Sequence, residues 1–171
     1  IKGSLQLGCI AHRSFQEIRG RAYWLGHDGV YRYVGGVAPQ KISTAVQGQI
    51  DSLNWSARST ACAGVLGDLY ILAIPTGTNA YPNKGLVYDT LHDTWWFDDF
   101  GGGWPLQFVS FNDSLYFGTI TASGRVYKGY EATSDDGIAI PWSWTTGARQ
   151  ENGFSQQDIL RVFQVAELPT G

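Results

Sequence analysis

The sequence predicts an all-β fold made of repeated four-stranded antiparallel units, arranged like the blades of a β-propeller and containing little helix. The first indication is composition: aromatic residues make up 14% of the 171 residues, and 22 residues are Gly. Aromatic side chains suit pleated, half-buried strands, and Gly supplies the backbone freedom that tight turns need. A chain of this length fits one domain and can bury a sizeable core.

The second indication is a hairpin that occurs three times, at residues 21–33, 68–90 and 114–130. Its first strands contain Tyr23, Tyr70 and Tyr116, which are 47 and 46 residues apart, and each return strand carries a Gly shortly before a Val-Tyr pair. The loops between the two strands differ in length while the spacing of the hairpins is nearly constant. A repeated supersecondary unit produces this pattern. We therefore predict that the three tyrosines occupy equivalent positions on successive units.

The third indication is that each hairpin has a strand-like stretch on either side. The stretches before it are SFQEI, TACAGV and LQFVSF, and those after it are PQKIST, TWWFDDF and IPWSWTT. These strands predict three blades within residues 1–147, at about 4–44, 57–100 and 104–146. Residues 43–56 are predicted to form a short helix or an ordered crossing between blades. Residues 148–171 are predicted to form a polar loop and a terminal strand that leads to another blade or domain.

An ordinary β-sandwich is the alternative fold, because Tyr and Val favour strands in any β protein. The apolar residues on both faces of 69–74 favour blades, since an inner blade strand is covered on both sides. Three blades do not close a propeller, which has about four to eight. Because the chain begins with Ile1 and contains no Met, we expect a longer parent chain or an assembly to complete the ring and cover its strand edges.

Catalytic and metal-binding motifs are missing from the sequence, which has no nucleophile elbow, zinc-protease motif, phosphate-binding loop or EF-hand spacing. The three histidines are His12, His27 and His92. We expect His27 and His92 to be surface turn residues, because no third metal ligand accompanies them locally. Asp93, Asp98 and Asp99 offer a carboxylate pair of the kind used in glycoside hydrolysis, but acidic residues are common in turns. We predict no enzyme, no cofactor and no metal.

Charge and hydropathy narrow the range of partners. A net charge of −3 without a basic run gives no footprint for nucleic-acid binding. No apolar run approaches the roughly 20 residues that span a bilayer. Cys9 and Cys62 form no metal-binding pattern, and two separate buried thiols are favoured over a disulfide.

Tryptophans are the remaining functional candidates. Trp95, Trp96 and Trp104 are the candidates for contact with a glycan or a protein partner, because exposed aromatic faces stack on sugar rings. Packing between blades is the preferred interpretation for these residues, and for Trp142 and Trp144, since large aromatic side chains are mostly well buried.

The stretches GCIAHRSFQEIRGRAYWLGHDGVYRYVGG, GLVYDTLHDTWWFDD and IAIPWSWTTGARQENG resemble blades in propeller-bearing tail proteins of tailed bacteriophages, notably the tail nozzle of short-tailed phages. The resemblance covers about residues 4–167. It implies a structural component of the virion, nozzle- or hub-like, whose partners are other tail subunits in a ring-like homo-oligomer or the rest of a longer parent chain. It supplies no catalytic residues. A carbohydrate-binding propeller that recognises a host-surface glycan is the alternative function.

Overall fold

A computed structural model of the chain describes residues 7–100, 104–119, 125–131, 134–135 and 138–139. All of them belong to the compact unit Ile1–Ile140, and the second unit, Pro141–Gly171, lies outside the described residues. The described chain is mostly β and contains three antiparallel sheets of three or four strands. The predicted all-β class is therefore confirmed.

The first two sheets have four strands each, in the order of the chain. The strands of the first sheet are β1 (Gln16–Ile18), β2 (Arg21–Leu25), β3 (Val30–Tyr33) and β4 (Gln40–Lys41). Those of the second sheet are β5 (Cys62–Leu66), β6 (Leu69–Ile74), β7 (Lys84–Asp89) and β8 (Thr94–Asp98). Two complete copies of the predicted four-stranded unit are present.

The third sheet has three strands among the described residues. They are β9 (Pro105–Phe111), β10 (Ser114–Thr119) and β11 (Val126–Gly129), with β10 in the centre. A separate pair follows, β12 (Ser134–Asp135) and β13 (Ile138–Ala139). The predicted fourth strand at 140–146, and the predicted loop and strand at 148–171, lie outside the described residues.

Two-residue turns join the first and second strands in each of these three sheets of three or four strands. Arg19 and Gly20, Gly67, and Asn112 and Asp113 adopt positive φ angles between 50° and 72°. Left-handed turns of this kind match the twist of a hairpin, and Gly and Asn enter them most easily.

The connection between the first two sheets is helical. A short helix was one of the two structures predicted for residues 43–56. It contains a 3₁₀ turn at Thr44–Val46, the helix α1 (Gln47–Asp51) and a 3₁₀ helix at Trp55–Thr60. Ile50 and Leu53 are buried in the core beneath it. The Asn54 side chain accepts a hydrogen bond from the Ser56 backbone N–H and so caps the last helix.

The core lies between the sheets, and strand alternation assigns its residues to two layers. Tyr70, Leu72 and Ile74 of β6 pack toward the first sheet, against Tyr23 and Leu25. Ile71 and Ala73, on the opposite face of β6, pack toward the third sheet against Leu115 and Phe117. All five β6 residues from Tyr70 to Ile74 are fully buried. The prediction that both faces of this strand are covered is confirmed.

Each sheet therefore has two faces, which we call leading and trailing. The leading faces of the second and third sheets pack on the preceding sheet. The trailing faces of the first and second sheets pack on the following sheet. The leading faces carry Ala22 and Trp24 in β2, Tyr70 and Leu72 in β6, and Leu115 and Phe117 in β10. The trailing faces carry Tyr23 and Leu25, Ile71 and Ala73, and Tyr116 and Gly118.

The predicted equivalence of the three tyrosines is wrong for one of them. Counted from the end of the turn, Tyr23 and Tyr116 are the third residues of their strands, but Tyr70 is the second residue of β6. A shift of one residue moves a strand side chain to the opposite face. Tyr70 consequently lies on a leading face, and the residue equivalent to Tyr23 and Tyr116 is Ile71.

Neighbouring sheets approach most closely at their first strands. Contacts between sheets concentrate where β5 meets β1 on one side and β9 and β10 on the other. The Gln16 side chain of β1 donates a 2.7 Å hydrogen bond to the Ala63 carbonyl, and the Ser110 hydroxyl of β9 donates to the Val65 carbonyl. Gly64 allows this approach, because a Cβ there would lie only 2.6 Å from the Phe108 Cβ.

Candidate functional site

Adjacent tryptophans of β8 point to opposite faces of the second sheet. Trp95 lies on the leading face, where its indole N–H donates a 3.0 Å hydrogen bond to the Ile42 carbonyl and its ring lies 4.8 Å from that of Tyr88. Trp96 pairs with Val87 on the other face and is exposed. The two rings therefore cannot form one platform, and Trp95 joins the second sheet to the segment after β4.

Trp104 lies half-buried immediately before β9. Within the described part of the chain, its ring does not pair with that of Trp95 or Trp96. Trp142 and Trp144 lie outside the described residues. The predicted glycan or partner contact at Trp95, Trp96 and Trp104 remains a prediction, with Trp96 as its exposed member.

Two of the aspartates considered for hydrolysis hold parts of the fold together. Asp93 accepts hydrogen bonds from the Tyr88 hydroxyl and, at 3.2 Å, from the Arg32 guanidinium of the first sheet. Burial raises the pKa of Tyr88, and its hydrogen bond to Asp93 raises that pKa further. Asp98 accepts from the Phe100 N–H and the Tyr130 hydroxyl. Both carboxylates thus have structural partners.

The histidines and cysteines are dispersed over the described residues. His92 lies 2.6 Å from Asp89 within one turn, and the carboxylate raises the pKa of His92. Cys62 is buried, and burial raises the pKa of its thiol to about 12. Cys9 is a free, exposed thiol, so the two cysteines are separate as expected but only Cys62 is buried. Within the described ranges, no group of three His, Cys, Asp or Glu could hold a metal ion.

An exposed aromatic cluster that the sequence analysis missed surrounds Trp55. The imidazole of His27 lies 4.6 Å from the Trp55 ring, and the Arg58 guanidinium lies 5.9 Å from its centre. Arg58 also donates a 2.6 Å hydrogen bond to the Trp55 carbonyl. The spacing of Trp55 and Arg58 on one helical turn was visible in the sequence, whereas the approach of His27 from the β2–β3 loop was not.

The trailing face of the third sheet is a second unpredicted surface. Val109, Phe111 and Val126 share this face with Tyr116 because of their strand pairing, and they are 56%, 70% and 70% exposed. The ammonium of Lys128 lies 5.8 Å from the centre of the Tyr116 ring. Several exposed apolar side chains on one face of a sheet are typical of an interaction surface.

The leading face of the first sheet is also incompletely covered. The rings of Trp24 and Tyr31 stack with their centroids 6.1 Å apart, and the ring of Phe15 stacks on that of Trp24. Phe15 is 51% exposed, and Tyr33 on the same face is 37% exposed. Trp24 and Tyr31 at the centre of this face are buried, so its exposed part is the edge formed by Phe15 and Tyr33.

A search of known protein families finds none that matches the chain, and no curated protein matches it either. Among the described residues, no helix is long and apolar enough to cross a membrane.

Proposed function

We propose that this chain is a structural module of a bacteriophage tail, nozzle- or hub-like, built from blades of a β-propeller. The observation that carries the proposal is the repeated packing of the sheets. Both interfaces between sheets join a trailing face to a leading face, and both are closest at the first strands. A propeller has this arrangement because the first strand of every blade lies nearest the axis.

Side chains that join the outer strands support the same arrangement. Away from the first strands, the first two sheets are bridged by long side chains, with Trp95 reaching Ile42 and Arg32 reaching both Tyr88 and Asp93. Long side chains are needed to bridge two sheets whose separation increases away from their first strands. An ordinary sandwich, in contrast, keeps its two layers about 10 Å apart throughout.

The assignment to a phage tail rests on the resemblance of the blade sequences. The module would act within the virion, where other tail subunits are its partners. A rigid β unit that exposes apolar side chains on a sheet face suits such an assembly, because its neighbours would cover them.

Antibody labelling tests the tail assignment. An antibody raised against the chain should bind the tails of intact particles of the phage whose genome encodes it, as seen by electron microscopy. The matched control is pre-immune serum on the same particles. Detection of the protein in infected cells without any labelling or peptide in purified particles would contradict the assignment.

Carbohydrate binding is a second candidate, favoured by the Trp55 cluster. An exposed indole beside a guanidinium offers an apolar ring face for stacking and a charged donor for hydroxyl or carboxylate groups. Binding on a glycan array that is lost with Trp55→Ala and kept with Trp96→Ala would support this site. Loss of glycan binding only in Trp96→Ala would place the binding site on β8 instead. Absence of glycan binding by the unchanged protein would rule out this candidate function.

A further inference from the structure

We infer that the Trp55 cluster, formed by His27, Trp55 and Arg58, binds a sugar that carries a carboxylate, such as a uronic acid. This inference rests on the carbohydrate-binding candidate of the proposed function and does not depend on the phage-tail assignment. It adds the chemical class of the ligand, which is indicated by a cation that the fold leaves without an acidic partner.

Arg58 carries the charge that indicates an acidic ligand. One of its amino groups donates a 2.6 Å hydrogen bond to the Trp55 carbonyl, and Arg58 forms no ion pair with a described residue. The ion pairs among the described residues use other cations, namely Arg19, Arg32, Lys41, His92 and Lys128. A guanidinium has five N–H donors in a planar arrangement that fits both oxygens of a carboxylate. The donors that Arg58 does not use are therefore available to an acidic ligand.

The carboxylate next to His27 in the chain does not supply that partner. Asp28 accepts a hydrogen bond from the Tyr31 hydroxyl and lies 3.4 Å from the Lys41 ammonium. The Tyr31 hydrogen bond, and to a smaller extent the Lys41 charge, lower the pKa of Asp28. This carboxylate is thus ionised and matched by its own cation, so it does not cancel the charge of Arg58.

The helix Trp55–Thr60, which carries the ring and the guanidinium, is fastened at both ends to the loop that follows β6. The Asn54 side-chain amide donates a 2.9 Å hydrogen bond to the Asn79 carbonyl, and the Thr60 hydroxyl donates one of 3.2 Å to the Ala80 carbonyl. A site whose backbone is held before binding loses less conformational freedom when a ligand arrives. The cluster is therefore prepared for binding.

The arrangement of the cluster suits a sugar ring in particular. The Trp55 ring is 39% exposed, and the imidazole of His27 and the guanidinium of Arg58 lie 4.6 Å and 5.9 Å from its centre. The C–H face of a pyranose stacks on an indole, and a carboxylate on that pyranose would pair with the guanidinium. Nucleic acid, whose bases also stack on aromatic rings, is disfavoured by the net charge of −3 and the lack of a basic run.

The first test is a glycan array that presents neutral, carboxylate-bearing and sulfated glycans to the 171-residue chain. We expect binding to carboxylate-bearing glycans only. Equal binding to neutral glycans, or binding to sulfated glycans alone, would overturn the inference and leave the carbohydrate-binding candidate intact. Absence of binding to every glycan would remove the candidate and the inference together. The two failures are therefore distinguishable.

The second test compares the best-bound acidic glycan with its methyl ester by isothermal titration calorimetry, because the ester keeps the ring and removes the charge. The unchanged protein should bind the acid roughly 10- to 100-fold more tightly, the range for a hydrogen bond to a charged group. Arg58→Gln should bind acid and ester equally. The control Arg21→Gln, at an exposed arginine on the opposite end of β2 from His27, should keep the preference. A preference retained in Arg58→Gln would overturn the inference.

Circular dichroism checks that each variant is folded. A measurement on the unchanged protein keeps the inference testable if Arg58→Gln unfolds. Affinity for the acid should fall as ionic strength rises, whereas affinity for the methyl ester should not, because salt screens only the charged interaction. An equal response of acid and ester to salt would show that the carboxylate is not paired with a cation, which also overturns the inference.

Discussion

The ring of Tyr70 stacks on that of Tyr23, with centroids 5.6 Å apart and planes inclined by 28°. The pair joins the second sheet to the first at the centre of their interface. The Tyr70 hydroxyl donates a 2.7 Å hydrogen bond to the Ser14 carbonyl, whereas the Tyr23 hydroxyl has no partner within the described chain. Two buried tyrosines in one stack thus differ in whether the hydroxyl group is hydrogen-bonded.

This difference predicts that the same Tyr→Phe substitution has a larger effect on stability at Tyr70 than at Tyr23. Tyr70→Phe should lower the free energy of unfolding by about 1 to 3 kcal/mol, because the buried Ser14 carbonyl loses its donor. Tyr23→Phe, the matched control, should cost less than about 0.5 kcal/mol or stabilise, since it removes an unpaired polar group. Urea unfolding of both variants measures this, and equal losses would show that the hydrogen bond contributes nothing.

The close contacts around Gly64 of β5 predict that the interface between the second and third sheets tolerates no added side-chain atom there. Its added methyl group would lie 2.6 Å from the Phe108 Cβ and 2.8 Å from the Leu115 Cδ1. Gly64→Ala should therefore destabilise by about 1 to 3 kcal/mol, the range for an overpacked core. At Gly129 of β11 the nearest atom would lie at 3.6 Å, so Gly129→Ala should be nearly neutral. A neutral Gly64→Ala in thermal unfolding would mean that β5 and β9 do not lie together.

The two thiols are predicted to react at very different rates. The thiolate is the reactive species, and burial raises the pKa of Cys62 to about 12, so almost none exists at neutral pH. A thiol reagent should modify one cysteine of the native protein and two after denaturation. The Cys9→Ser variant should show no reaction until it is unfolded. Fast labelling of that native variant would show that the core around Cys62 is open.

A pH effect is predicted for His92, whose ordinary pKa of 6.5 the Asp89 carboxylate raises. Because the folded pKa is the higher one, this pair stabilises the fold fully below the unfolded pKa, and the contribution is lost as pH rises through the folded pKa. Asp89→Asn should return the pKa of His92 toward 6.5, as followed by NMR titration. Asp51→Asn, on α1, should leave that pKa unchanged. An unchanged titration in Asp89→Asn would refute the contact.

Much of the fold could be predicted because its signals are local. Residues such as Gly67 and Asn112 mark turns by their backbone preference, and the apolar run 69–74 indicates a strand covered on both faces. The alignment on tyrosines failed because it matched residue type, whereas packing depends on the face. Counting from the turns would have paired Ile71 with Tyr23.

The candidate surfaces were harder to predict because they depend on contacts between distant segments. Strand alternation alone separates Trp95 from Trp96, yet nothing local shows that Trp95 reaches the Ile42 carbonyl, 53 residues away. Likewise, Phe111 looks like a core residue in the sequence. Its 70% exposure is set by which segments pack on the trailing face of its sheet, and the local sequence does not reveal them.

A crystal structure of the 171-residue chain tests the central claim, the series of blades, most directly. We predict that one rotation about a common axis carries the first sheet onto the second and the second onto the third. It should superpose Tyr23, Ile71 and Tyr116 and leave β1, β5 and β9 nearest the axis. Sheets facing one another as two parallel layers, or related by unlike rotations with their first strands apart, would contradict the account.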